Sequence, residues 1–436
     1  MSTDQDQTGV DFDRLAEVSA TAGPAAALEQ LAGSLAARGR WHALFDLRML
    51  EARRVLGLPL TGPVGSLDEA TREKLDRLSL AACREVGWPL LDAGAVAAGW
   101  VYLRAAVSAE EAATRLTDLA DRAELPAASA AEPDACGGDW EGGNPEDDQA
   151  ARLAEEIIGV ALWESVAPAL GIDLMLRTQG TCNAITAYEQ AVSRLPADRQ
   201  AAAAGRLVEH LHAELVRNLA ADLEHRGIDT SPAVAAEAPL ATLLDAAGGL
   251  GDASIHVDVS HLQSVLRIAR VCTDPATIRR AWELARYACR LPAEVTYPGE
   301  PPFEQVGEAS RHFYGGQLGI DAGAAVAFFR RAAATADPLE AGTLPADTLV
   351  VLLHRLGRHA EALQAAVGRP REGGQPSVME AAGMIPPLVD LARGSGQWDL
   401  LLDACRRHGD EITFVATLVA REAAQNQADG SSRPQP

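Results

Sequence analysis

The chain has 436 residues, of which 47% are hydrophobic, 23% charged and only 4% aromatic, a globular rather than a disordered composition. At about 150 residues per domain, this length allows roughly three domains or one long repeat array. Acidic residues outnumber basic ones 61 to 38, and the resulting net charge of −23 would repel a phosphate backbone, which argues against a nucleic-acid partner.

No apolar run reaches the ~18 residues that a membrane span requires, so no membrane partner is expected. The polar, acidic start from Met1 to Arg14 does not read as a signal peptide. These features predict a soluble, cytoplasmic, helix-rich protein. Cys83, Cys136, Cys182, Cys272, Cys289 and Cys405 are scattered without a C-x-x-C pair, which fits neither a disulfide framework nor a zinc site. Cys83, Cys289 and Cys405 lie in apolar helical stretches and are expected to be small buried hydrophobes.

Period-two strand patterns are nearly absent, whereas helical periodicity dominates. From Ala25 to Arg54, Leu28, Leu31 and Leu35 fall at 3–4 spacing. Gly39 follows, and then Trp41, Leu44 and Leu47. This predicts helix, tight turn, helix. Ser66 with Glu69 and Ser108 with Glu111 read as capping boxes. Asp274 before Pro275 reads as an N-cap with proline at the first helical position. Leu125 to Ala150, rich in Gly, Pro, Asp and Glu, has little apolar surface to offset the entropy of ordering.

The expected organisation is therefore an N-terminal helical module (1–124), an acidic Gly/Pro-rich linker (125–150), a central helical region (151–318), C-terminal helical hairpins (319–422) and a polar, disordered tail (423–436). The fold class is all-α, antiparallel helix pairs stacked as an α-solenoid-like array. Abundant alanine, the best helix former and small enough for close helix approach, supports it.

Three places share a pattern. Gly39-Arg40-Trp41 precedes Leu44, Gly357-Arg358-His359 precedes Ala362 and Leu363, and Gly396-Gln397-Trp398 precedes Leu401. In each, a glycine able to adopt the left-handed conformation ends one helix, and a bulky residue two positions on opens the next. Gly319-Ile320-Asp321 before Ala324 is a poorer copy. Over residues 25–56 and 319–422 the chain resembles tetratricopeptide-like helical repeats, without their regular 34-residue period. The resemblance implies α-solenoid packing, a concave surface that binds a protein or peptide, and no catalytic residues.

The central region holds the densest polar group. Over Ala201–Arg226, Leu207, Leu211, Leu215, Leu219 and Leu223 sweep one arc of a helix. His212 falls within it, as expected of a hydrogen-bonded histidine at a packed interface, while His210 and Glu214 lie one turn apart on the neighbouring face. In Ile255–His261, Ser260 with Gln263 reads as a capping box that places His261 in a first helical turn. His256 and Asp258 then form an extended lead-in, with Asp258 an alternative N-cap. His210, Glu214, His256, Asp258 and His261 together offer three imidazoles and two carboxylates suited to a divalent metal such as zinc or iron(II). No H-E-x-x-H motif is present.

Cys182 follows Gly180 near a predicted helix start, a position that lowers a thiol pKa, although a core or cap-neighbour role is the commoner one. Tyr297–Phe303 is a proline-stiffened loop whose aromatics either floor a pocket or pack as the chain turns. Dinucleotide, Walker A, nucleophile-elbow and kinase signatures are missing. The sequence thus points first to a non-enzymatic scaffold binding a protein or peptide partner, with no cofactor. The second reading is a metal-dependent enzyme built on the central histidines.

Overall fold

In the computed structural model, which describes residues 11–123, 125, 145–236, 239–247, 255–369 and 377–431, the described chain is helical and contains no strand. It divides into two compact units, residues 1–178 and 179–436. No helix is long and apolar enough to cross a membrane.

In the first unit, Pro24–Ala37, Trp41–Val55, Glu69–Asp92 and Val96–Leu103 pack each on the next. Ala32, Leu35, Leu44, Leu47, Val86 and Leu90 form a shared core, covered by Trp41, Phe45 and Tyr102. Arg48 binds Glu29, Glu51 and Glu85 at 2.9, 3.0 and 2.9 Å. One guanidinium fork thereby ties three helices, and its hydrogen bond and charge hold the Glu29 carboxyl below the usual range. Glu69–Asp92 and Val96–Leu103 approach so closely that a Cβ on Gly99 would lie 2.7 Å from the Gly87 carbonyl oxygen.

In the second unit the 29-residue helix Ala197–His225 is the centre. Leu207, Leu211, Leu215, Leu219 and Leu223 are each at most 1% exposed, and each contributes about 2 kcal/mol of apolar burial. Pro239–Ala246, Val259–Ile268 and Pro275–Ala288 pack against this stripe. From Pro275–Ala288 the chain continues through Val306–Gln317, Ala322–Thr335, Leu344–Arg355, His359–Gly368, Leu388–Ser395, Trp398–His408 and Glu411–Ser431.

The glycine turns share one backbone geometry. Gly39, Gly357 and Gly396 have φ of 64°, 70° and 71°. The residues after them, Arg40, Arg358 and Gln397, have φ/ψ of −83°/57°, −85°/57° and −88°/56°. At the first two, the N–H after the glycine donates five residues back, from Arg40 to Leu35 and from Arg358 to Leu353, both at 2.9 Å. This closes the helix end in the Schellman manner. Gly94-Ala95-Val96 repeats the turn, with φ 86° at Gly94 and −83°/62° at Ala95, although its third residue is not bulky. The Gly319 copy differs: Asp321 adopts φ 56° and caps the following helix through the Ala324 N–H.

Several local expectations shift. Asp68, not Ser66, caps Glu69–Asp92, accepting from the Thr71 N–H at 3.0 Å, because the aspartate lies immediately before the first helical residue. Ser108 does cap its helix, accepting from Glu111, but the Glu111 carboxylate turns to Arg84. Asp274 caps at Thr277 as expected. Residues 126–144 of the expected linker lie outside the described residues, and a helix, Pro145–Ile158, begins within its remainder. The Glu411–Ser431 helix runs through most of the stretch expected to be a disordered tail, since Ala423, Ala424, Gln425 and Gln427 favour helix; 432–436 lie outside the described residues. Of the three cysteines expected in the core, Cys405 is buried, Cys83 half-buried and Cys289 exposed; Cys136 lies outside the described residues.

Gly357 has open space where a Cβ would stand, so Gly357→Ala changes only the cost of a left-handed backbone. It should lower stability by about 1–2 kcal/mol in urea denaturation, and Gly357→Asn should cost less.

Candidate functional site

The five residues proposed as metal ligands are distributed over separate local networks. His210 and Glu214 face each other across one turn at 3.8 Å. The His210 Nε2 also meets the Thr181 hydroxyl at 3.1 Å, on the helix Gly180–Ala187. His256 is buried, 8% exposed. Its Nε2 meets Asp222 at 3.1 Å, its Nδ1 meets the Tyr287 hydroxyl at 3.1 Å, and its carbonyl oxygen accepts from Asn218. Both imidazole nitrogens are therefore engaged within the protein. Burial raises the Asp222 pKa, but the hydrogen bond to His256 and the charges of Arg226 and His256 outweigh it and hold the carboxyl below its ordinary value.

Asp222 lies twelve residues beyond His210 on the same helix, about 18 Å along the axis, so the structure does not bring His210 and His256 together. Asp258 is the N-cap of Val259–Ile268. It accepts from the Ser260 and His261 N–H groups at 2.8 and 3.1 Å, in place of the Ser260–Gln263 box. Gln263 instead clasps the Tyr297 backbone, donating to its carbonyl at 2.6 Å and accepting from its N–H at 3.1 Å. His261 stands in the first helical turn. Among the described residues no group of three His, Cys, Asp or Glu side chains is arranged to hold a metal ion.

One buried polar contact involves a residue that sequence reasoning did not single out. Glu283, on Pro275–Ala288, is 1% exposed. One oxygen lies 2.6 Å from the His212 Nε2 and the other accepts from the Ala241 backbone N–H at 3.0 Å. One carboxylate thus links the long helix to the first turn of Pro239–Ala246. Beside it opens a cavity of about 480 Å³, bordered by Glu209, Val216, Pro239 and Arg280 as well as the pair itself. A carboxylate-held imidazole can relay protons, but both carboxylate oxygens here are committed to helix–helix ties. His212 is 6% exposed, in keeping with a histidine at a packed interface. Nothing in the local sequence indicated Glu283: its partner lies 71 positions away.

The remaining candidates resolve by burial. Cys182 is exposed, whereas the Cys272 thiol is buried and pushed up to about 12 by desolvation. In the proline loop, Phe303 is 2% exposed and packs on Phe329, while Tyr297 is 62% exposed. Arg355 donates to the carbonyls of Cys272 and Val271 and to Gln317, and so places a half-buried cation at the C-terminal end of the segment 259–271.

A second notable surface is apolar. The helix Glu411–Ser431 packs on Leu388–Ser395 and Trp398–His408 through the side that carries Phe414, Thr417 and Arg421. Its opposite side leaves Ile412 83%, Val415 57% and Val419 63% exposed. No protein-family model matches the chain, and no curated protein is significantly similar to it in sequence.

Two tests follow from these networks. Glu283→Ala strips the partners from the His212 ring and from the Ala241 N–H in a buried site, and should cost about 3–5 kcal/mol in urea denaturation. Glu283→Gln keeps an acceptor for Ala241 and should cost clearly less. The second concerns His354 and His359, whose rings lie 5.4 Å apart with both Nδ1 atoms buried and lacking a hydrogen-bond partner. Burial, then the neighbouring His359 and Arg355, holds His354 below its ordinary pKa. The unfolded chain therefore takes up the proton first: the stabilisation is complete above about pH 6.5 and is lost as the pH falls through that value toward the folded pKa. Between about pH 7.5 and 5.5, the thermal midpoint of the wild type should fall further than that of His354→Gln.

Proposed function

We propose that the chain is a non-enzymatic helical-repeat scaffold, its helix pairs stacked in an α-solenoid-like array, that binds a protein or peptide partner. Two structural features support the stacked arrangement. The same glycine turn opens helices at Trp41, Val96, His359 and Trp398. In the stretch 306–431, helices also pack on near neighbours in the chain: Val306–Gln317 on Ala322–Thr335, Ala322–Thr335 on Leu344–Arg355, and His359–Gly368 on Leu388–Ser395.

The observation that carries the binding role is the uncovered apolar side of Glu411–Ser431. Isolated apolar residues are ordinary on a protein surface, but a contiguous stripe along one helix marks an interaction site. Ile412, Val415 and Val419 recur at the 3–4 spacing of a single helical face, on the side away from the helices already packed against it.

The reading is tested with a photo-crosslinking amino acid at position 415 of the full chain, in extract of the native cell, and with the same group at exposed Asp76 as control. Chemistry directed at lysine is unsuited to mapping, because Lys74 is the only lysine. A discrete crosslinked protein at 415 and not at 76 is expected. No product above the control overturns the scaffold role for this surface.

A further inference from the structure

We propose that the outer face of Glu411–Ser431 receives an amphipathic α-helix from a partner protein, with basic residues along one edge of its apolar stripe. The inference rests on the scaffold reading and specifies its partner.

At 100° per residue, Ile412, Val415 and Val419 fall within about 60° of one another, opposite buried Thr417. Exposed Ala416 and Ala423 border this stripe on one side. Exposed Glu411 and Glu422 border it on the other, about 20° apart in azimuth and about 16 Å apart along the axis. A straight ridge two to three turns long, with small residues on one flank, matches the surface of another helix. The alanines let the partner backbone come close, and its apolar residues at i, i+3 or i+4 and i+7 cover the valines and the isoleucine, the helix-in-groove mode of recognition.

Charge sets the partner's edge. Among the described residues, neither Glu411 nor Glu422 is joined to a cation by an ion pair, whereas Arg421 on the packed side is held by Asp399 at 3.2 Å. These two carboxylates, on a chain of net charge −23, match two Arg or Lys side chains about three helical turns apart on the incoming helix. The same charges disfavour a second copy. A two-fold axis pairing this helix antiparallel with itself places Glu411 and Glu422 of one chain on the same side as those of the other, and four carboxylates then gather along one edge. Attraction of a basic helix also speeds encounter, an effect that salt weakens.

The test is fluorescence anisotropy of the full-length chain at about 0.15 M salt. The probes are two labelled amphipathic helical peptides with the same leucine stripe, one with arginines along an edge and the other with glutamates there. The basic peptide should bind wild type at least about tenfold more tightly than the acidic one. Glu411→Lys/Glu422→Lys should reverse that order. Ile412→Ser/Val419→Ser should weaken the basic peptide by about tenfold or more, with unchanged far-UV circular dichroism, because both side chains are largely exposed. Equal affinity of the basic peptide for wild type and Ile412→Ser/Val419→Ser overturns the proposal, since binding then lies elsewhere on the acidic surface. So does a wild-type dimer in sedimentation that Ile412→Ser/Val419→Ser dissolves, because the occupant is then a second copy. If neither peptide binds at about 100 μM, the partner class is wrong. The scaffold reading then still stands if position 415 captures a protein, and falls with it if position 415 captures none.

Discussion

The apolar stripe of Ala197–His225 is the constraint on which the second unit depends. Five leucines at four-residue spacing, all at most 1% exposed, must be covered, and Pro239–Ala246, Val259–Ile268 and Pro275–Ala288 cover them. Every polar residue nearby takes its role from its angle to that stripe. His212 falls inside the arc, and its ring is removed from water only because Glu283 meets it at 2.6 Å. His210 and Glu214 fall on the shoulder and remain half-buried, in contact with each other and with Thr181. Asp222 reaches the edge where the 255–258 lead-in passes, and there it meets His256. His212, His210 and His256 are thus sorted into separate surroundings by helical geometry.

The cost of burying polar groups explains why these residues are tied so fully. A buried carboxylate such as Glu283 is tolerated when each oxygen has a donor, and here both do. The same accounting applies to Asp347, 1% exposed, which accepts from Arg369 at 3.0 Å and from the Thr343 hydroxyl at 2.8 Å. In both cases the polar group joins elements that apolar contact alone would leave free to slide.

Features set by a few neighbouring residues were legible in the sequence. The helical class, the leucine arc, the Asp274 and Ser108 caps and the Gly39, Gly357 and Gly396 turns all depend on groups within about one helical turn. Where two capping residues stood close together, as with Ser66 and Asp68 or Asp258 and Ser260, spacing alone did not decide between them. The aspartate at the helix boundary won each time. The Gly94 turn escaped notice because a bulky third residue served as the signal and Val96 is not bulky; the backbone geometry proves to be the shared element. The Glu283–His212 tie and the Asp222–His256 contact were out of reach, because they join positions 71 and 34 residues apart and helical periodicity does not indicate which stripe will face which.

The exposed side of Glu411–Ser431 follows from the same logic applied to a helix with fewer neighbours. Its sequence is apolar on more than one side: Phe414 packs inward, with Arg406 over its ring at 5.1 Å, while Ile412, Val415 and Val419 point away. β-branched valine and isoleucine are poorer helix formers than alanine or leucine. At exposed positions they therefore cost local helix stability and gain little intramolecular packing. A sequence that needed only a soluble outer surface would be more stable with Glu, Gln or Ala there, as it has at Glu422, Ala423 and Gln425. Three β-branched apolar residues on that one face therefore add little to the fold of their own unit, and it is on this feature that the proposed binding role rests.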